Sequence, residues 1–285
     1  MMQAAAVSRD GTKIGYVKVG NGPGLILVQG AMGAAAHYSG LAEALSGFFT
    51  VLMPDRRGRG MSPLPYRPGH DVGRDVEDVE AVQAASDARF IFGLSSGAMI
   101  ALEAARRLPA IERAALYEPP FYPQGIDRRG IVRFKAEINR GDLASALVTA
   151  GRIVGLAPLP IRLLPKRVAR HITGLLLRLD AERRDDAYLR LSELVPAMRY
   201  DFDVVANMQD AMGSVSTLHK PILILNGTRS PRYLQTAASR LAAVLPESRR
   251  VVLPNLDHSG PWNVEKGGQP RRLSPALMNF FPGLK

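Results

Sequence analysis

The chain contains no cysteine among its 285 residues. Disulfides, thiolate metal centres and cysteine nucleophiles are therefore excluded, and the redox compartment cannot be read from cysteine usage. Nowhere are there about 18 consecutive apolar residues, so no transmembrane helix and no stable membrane insertion are expected. The N-terminal "MMQAAAVSRDGTK" has no basic flank followed by an apolar run, so no signal peptide is expected and a cytoplasmic location is the simplest reading. Acidic residues are also scarce: 26 Asp and Glu stand against 37 Lys and Arg, a formal charge of +11. The basic residues are spread along the chain with no zinc-ligand spacing, aromatic RNA-binding signature or basic tail, so nucleic acid is not the expected partner. The five histidines form no i, i+4 pair, which argues against zinc, and neither metal nor cofactor is expected.

What is present is a large apolar fraction in a legible order. At 46% hydrophobic content the chain can bury one large core, or a core with an inserted subdomain. Short apolar runs, "KIGYVKVG", "LILVQG", "FFTVLMPD", "RFIFGLS", "RAALYEPP", "PILILNG" and "RRVVLP", read as strands. Helical patterns, "DVEDVEAVQAAS", "SSGAMIALEAARRL" and "PRYLQTAASRLAAVL", lie between several of them. Strands alternating with helices predict an α/β fold with a mostly parallel central sheet covered on both faces. The stretch from about Pro123 to Leu218 holds helix-like segments and prolines but no strand. The expected layout is a core of residues 1–122 and 219–285 with a helical cap over 123–218. Leu143 to Leu179 contains no acid. It reads as an amphipathic lid, apolar toward the substrate and arginine-bearing toward water, or as a segment lying on an anionic surface.

The main chemical motif is Gly93-Leu94-Ser95-Ser96-Gly97, directly after one strand run and directly before a helical pattern. G-x-S-x-G in that context is a nucleophile elbow, a turn so tight that its flanks tolerate little side chain, with the serine pushed out over the sheet. The amide of Ser96, at a helix N-terminus, is free to receive an oxyanion. The loop "QGAMGAAA" offers a second donor, for which Ala31 is the candidate. Gln29 and His37 flank that loop and are expected to bind substrate. His258 follows a strand run and lies after Ser95 in serine, acid, histidine order, which suits a general base.

"LILVQGAMG", "PDRRGRGMS", "GLSSGA" and "LPNLDHSGP" together resemble the α/β-hydrolase superfamily over nearly the whole length. The resemblance implies Ser95 as nucleophile, His258 as base and a lid between the sixth and seventh strands. Two departures stand out. Gln29 replaces the usual histidine, and Ser230 stands where the family most often keeps its acid. Glu118 in "LYEPP", 23 residues beyond Ser95 at the end of a strand run, is the candidate replacement. Haloalkane dehalogenases, within the same superfamily, carry their acid after this strand. Asp257 and a serine–histidine dyad assisted by Ser230 are the alternatives. Asp55 and Arg57 in "PDRRGRGMS" read as a structural turn that satisfies backbone groups, and the acids of "DVGRDVEDVEAV" as a solvated helix face. The expected activity is hydrolysis of an ester, lactone or thioester of a largely apolar small molecule through an acyl-Ser95 intermediate. A carbon–carbon-bond-cleaving or otherwise non-hydrolytic enzyme, and a binding protein that has lost turnover, are the alternatives.

Overall fold

The apolar runs form a single eight-stranded sheet in a computed structural model that describes residues 1–155, 164–183 and 189–283. Its strands are β1 (Met2–Val7), β2 (Lys13–Val19), β3 (Gly24–Val28), β4 (Thr50–Pro54), β5 (Phe90–Leu94), β6 (Arg113–Tyr117), β7 (Ile222–Gly227) and β8 (Ser248–Leu253). They lie in the order β1-β2-β4-β3-β5-β6-β7-β8. The β1–β2 and β2–β4 pairs are antiparallel and the remaining pairs parallel.

Strand periodicity splits the core into two layers. In β3, Leu25 and Leu27 enter the cluster on one face, while Ile26 and Val28 enter the cluster on the other. Every residue of β3, β4 and β5 is buried, which explains why these strands read as continuous apolar runs and not as alternating ones. The sequence reading misses β1. "MQAAAV" has little β-propensity, and it is pairing with β2, Met2 opposite Lys18 through Val7 opposite Lys13, that makes it a strand.

Among the described residues the helices are α1 (Ser39–Leu45), α2 (Val72–Ala84), α3 (Ser96–Arg107), α4 (Arg128–Asn139), α5 (Leu143–Val154), α6 (Lys166–Ala181), α7 (Leu191–Met208), α8 (Arg232–Val244) and α9 (Pro270–Phe280). Four of them, α4 to α7, fall between β6 and β7, where the helical cap was expected. The parts of that cap at 156–163 and 184–188, including Pro158 and Pro160, lie outside the described residues. None of the described helices is long and apolar enough to cross a membrane.

Two expectations need correction. Asp75 and Asp78 of α2 are buried, not solvated, because they face arginines of the loop after β4. Helix α6 turns its apolar side chains outward. Val168, Ile172, Leu175, Leu176 and Leu179 are exposed, whereas Ala169 and Asp180 are buried. A lid with its apolar face on the substrate does not describe α6. Helix α7 behaves oppositely: it packs on α3 and buries Leu194, Val195, Met198, Phe202 and Val205.

Candidate active site

The turn after β5 has the geometry that its glycines demand. Ser95 sits at φ 56° and ψ −122°, a conformation costing an L-residue about 1–3 kcal/mol. A Cβ at Gly93 would come within 2.2 Å of the Gly97 carbonyl oxygen, and one at Gly97 within 2.4 Å of the Val28 oxygen. No side chain fits at either position, which is the close packing the motif requires. The Ser95 amide donates to Tyr117 O at 2.9 Å, tying the elbow to the end of β6.

Glu118 follows at that same strand end, fully buried and also at positive φ, 51°. Its Oε2 lies 2.7 Å from Nδ1 of His258. Its Oε1 accepts from the Gly227 amide at 2.9 Å and from the Ser230 hydroxyl. One residue earlier, the Tyr117 hydroxyl donates to Asp257 O at 2.6 Å. The last residue of β6 and the residue after it thus hold successive residues of the histidine loop. Asp257 is turned away: its carboxylate accepts from the amide and hydroxyl of Ser259. Ser230 is a donor to Glu118 and is not a partner of His258.

Ser95 and His258 line one cavity of about 190 Å³, together with Ala31, Met32 and Ser96. Among the described residues no hydrogen bond joins His258 to Ser95, and such contacts commonly tighten only when substrate binds. The amides of Ala31 and Ser96 donate to no protein acceptor among the described residues. Met32, at φ 60°, shares the cavity wall with Ala31. Ile126, Val154, Met198, Phe202 and Val205 build the apolar roof. The stacked rings of Tyr122 and Tyr233, centroids 5.1 Å apart, form another wall. Val154 is the described residue of the acid-free stretch that reaches the cavity. A wider groove of about 410 Å³ beside Asp10, Arg57 and His70 contains neither Ser95 nor His258.

The structure does not bring Gln29 or His37 into this cavity. Gln29 is fully buried under the loop, its Nε2 donating to Leu27 O at 3.3 Å. His37 is buried with its ring stacked on Trp262 at 6.0 Å, and its Nδ1 accepts from the Ala34 amide. Burial, with a smaller push from Lys266, holds its pKa down to about 4. Both residues brace the loop, as expected for side chains that point to the core side of a glycine-rich turn.

The "PDRRGRGMS" segment does more than turn the chain. Asp55 accepts from the amides of Ala35 (2.7 Å) and Met61 (2.9 Å), as a structural residue should. Arg57 instead pairs with Asp78 at 2.6 Å and Asp10 at 3.0 Å. Arg56 and Arg59 both reach Asp201 of α7, at 2.5 and 2.8 Å, and Arg56 also reaches Asp75. Burial alone would raise Asp75, yet the Arg56 guanidinium, with the hydrogen bond to His70, holds it down to about 2. Asp201 is likewise kept below the usual carboxylate range, burial being outweighed by Arg59 and Arg56. Its Oδ1 accepts from the Ser96 hydroxyl at 2.7 Å. Sequence reasoning missed Asp201; the available signal was an acid inside the apolar run "RYDFDVV" of a chain rich in arginine. No group of three or more potential metal ligands occurs among the described residues.

Comparison with known proteins bears on the fold and the family. Residues 25–273 match the model of the alpha/beta hydrolase family. The chain is 36% identical over 120 residues to N-formylmaleamate deformylase of Pseudomonas putida, covering 40% of this chain and 44% of that protein. It is 26% identical over 249 residues to 2-(acetamidomethylene)succinate hydrolase of Mesorhizobium japonicum, covering 84% and 82% respectively. An alpha/beta hydrolase from Sphaerobacter thermophilus superposes with a TM-score of 0.78 at 28% identity, covering 98% of this chain and 100% of the other. Fold, strand order and family match agree, and the chain belongs to the alpha/beta hydrolase family of enzymes.

Proposed function

We propose that this hydrolase cleaves a neutral, largely apolar ester, lactone or thioester through an acyl-Ser95 intermediate, with His258 as base and Glu118 as the acid. The observation that carries the reading is the 2.7 Å contact between Glu118 and Nδ1 of His258, beside a cavity that Ser95 also lines. With Nδ1 held by the carboxylate, Nε2 is the nitrogen available to take the Ser95 proton. Ser95 Oγ then attacks the acyl carbon, and the resulting oxyanion accepts from the Ala31 and Ser96 amides. His258 returns the proton to the leaving group, and water, deprotonated by the same nitrogen, releases the acid. Helices α5 and α7 roof the cavity and so act as the cap.

The lining supports the substrate class. Its charged or titratable side chains are Asp201, already paired with two arginines, His258 and the two tyrosines. No lysine or arginine lines it among the described residues. The relatives are named for maleamate and succinate derivatives, which carry carboxylates. A site without a cation facing the cavity favours a neutral acyl group instead. The test is turnover of p-nitrophenyl butyrate and labelling by a fluorophosphonate. Both are expected in the wild type and absent in Ser95→Ala, and a carboxylate-bearing ester such as mono-p-nitrophenyl succinate should have the lower kcat/KM. Turnover surviving in Ser95→Ala would remove the acyl-serine mechanism.

A further inference from the structure

The proposed oxyanion amides come from two separate places, the loop after β3 and the start of α3, and the same buried cluster grips both. On the loop side, Arg56 donates to Gln29 O at 3.3 Å, and Arg59 donates to Gly30 O and Gly33 O at 3.3 and 2.9 Å. With the carbonyls on either side so engaged, the orientation of the Ala31 peptide is constrained. On the helix side, the Ser96 hydroxyl donates to Asp201 Oδ1 at 2.7 Å, with Arg56 Nη1 at 3.2 Å from the same hydroxyl. Asp201 joins the two sides: its Oδ1 takes Arg56 and its Oδ2 takes Arg59. Its carboxylate arrives on α7, 105 residues beyond Ser96, from the cap and not from the sheet.

From this geometry we infer that Asp201 is a positioning residue, by which the cap fixes the two oxyanion amides in register with each other. This rests on the acyl-serine reading above. A carboxylate used only to fasten α7 would need the two arginines. The third contact, to the side chain of the residue whose amide faces the oxyanion, goes beyond fastening. Preorganised donors act by being fixed where charge develops, so a small displacement of either amide is felt in the transition state more than in the ground state.

Three variants separate positioning from fastening, with p-nitrophenyl butyrate as substrate and a trifluoromethyl ketone, which forms an anionic hemiketal on Ser95, as transition-state probe. Ser96→Ala keeps the amide and removes the hydroxyl; kcat should fall about 10-fold, less than the 10²–10³ lost when a donor itself is removed, with KM within about two-fold. Asp201→Asn should lower kcat further, to about 10²-fold, and weaken the ketone in proportion. The double variant should be no slower than Asp201→Asn alone, because both changes break one connection. Wild-type kcat and ketone affinity in Ser96→Ala, or fully additive losses in the double variant, would overturn the proposal. If Asp201→Asn does not fold, Ser96→Ala decides alone. The two readings fail differently. Loss of the acyl-serine mechanism appears as Ser95→Ala turnover, whereas a Ser95 that labels normally beside unaffected Ser96→Ala and Asp201→Asn variants sinks only the role of Asp201.

Discussion

The ends of β6 and β7 lie side by side in the sheet and carry reversed assignments. At the end of β7, where the family most often places its acid, stands Ser230, a buried hydroxyl that donates to a neighbour. At the end of β6 stands Glu118, buried, at positive φ, and in contact with His258. The imidazole of His258 meets Glu118 through Nδ1. A glutamate one strand away, with one more methylene than an aspartate, meets the same ring nitrogen, and the vacated position supplies the hydroxyl and the Gly227 amide that satisfy its other oxygen. Under the proposed triad, the acid site is defined by what converges on the imidazole and not by its address in the chain.

The comparison can be broken most decisively at Glu118. Glu118→Gln keeps the shape and removes the charge that steadies the imidazolium, so kcat should fall by up to about 10⁴-fold. Adding Ser230→Asp to that variant should recover a substantial part of the loss, since the β7 turn borders the same carboxylate position; steady-state kinetics on both variants decides it. A Glu118→Gln enzyme with near wild-type kcat would return the chain to a dyad.

His37 sharpens the contrast by showing what a buried histidine does without such a partner. Its folded pKa of about 4 lies below the usual 6.5, so the neutral form is the one that the fold favours. The corresponding stability is complete above pH 6.5 and is lost as pH falls from 6.5 toward 4, by up to roughly 3 kcal/mol. Urea unfolding at pH 7.5 and 4.5 should show this drop, and His37→Gln should flatten it. The smallest effect is expected at Ser230. Ser230→Ala removes one of several hydrogen bonds to Glu118 and should cost about 1 kcal/mol of stability and only a few-fold in kcat, measured by thermal melts and ester turnover.

Much of this site was legible because the residues concerned have rigid local requirements. The elbow announces itself through two glycines that packing forbids to be anything else, and Glu118 through its place between an apolar strand and two prolines. Gln29 and His37 were misread because nearness in sequence to the oxyanion loop does not specify which side of the loop a side chain takes. Asp75, Asp78 and Asp201 were misread or missed for a different reason. Each is buried by an arginine at least 19 residues away, and pairing across such distances leaves no periodic mark. Likewise, amphipathicity revealed that α6 has an apolar stripe but not that the stripe faces outward.

The backbone at Ser95 has one more consequence, for anyone who breeds this protein for toughness. Its φ of 56° suits glycine and strains every other residue, so the hydroxyl is kept in place against a standing local preference. A selection that rewards only survival of heat, blind to turnover, pulls position 95 toward glycine and discards the proposed nucleophile. Heat resistance and activity therefore have to be selected together, because at this residue they ask for different amino acids.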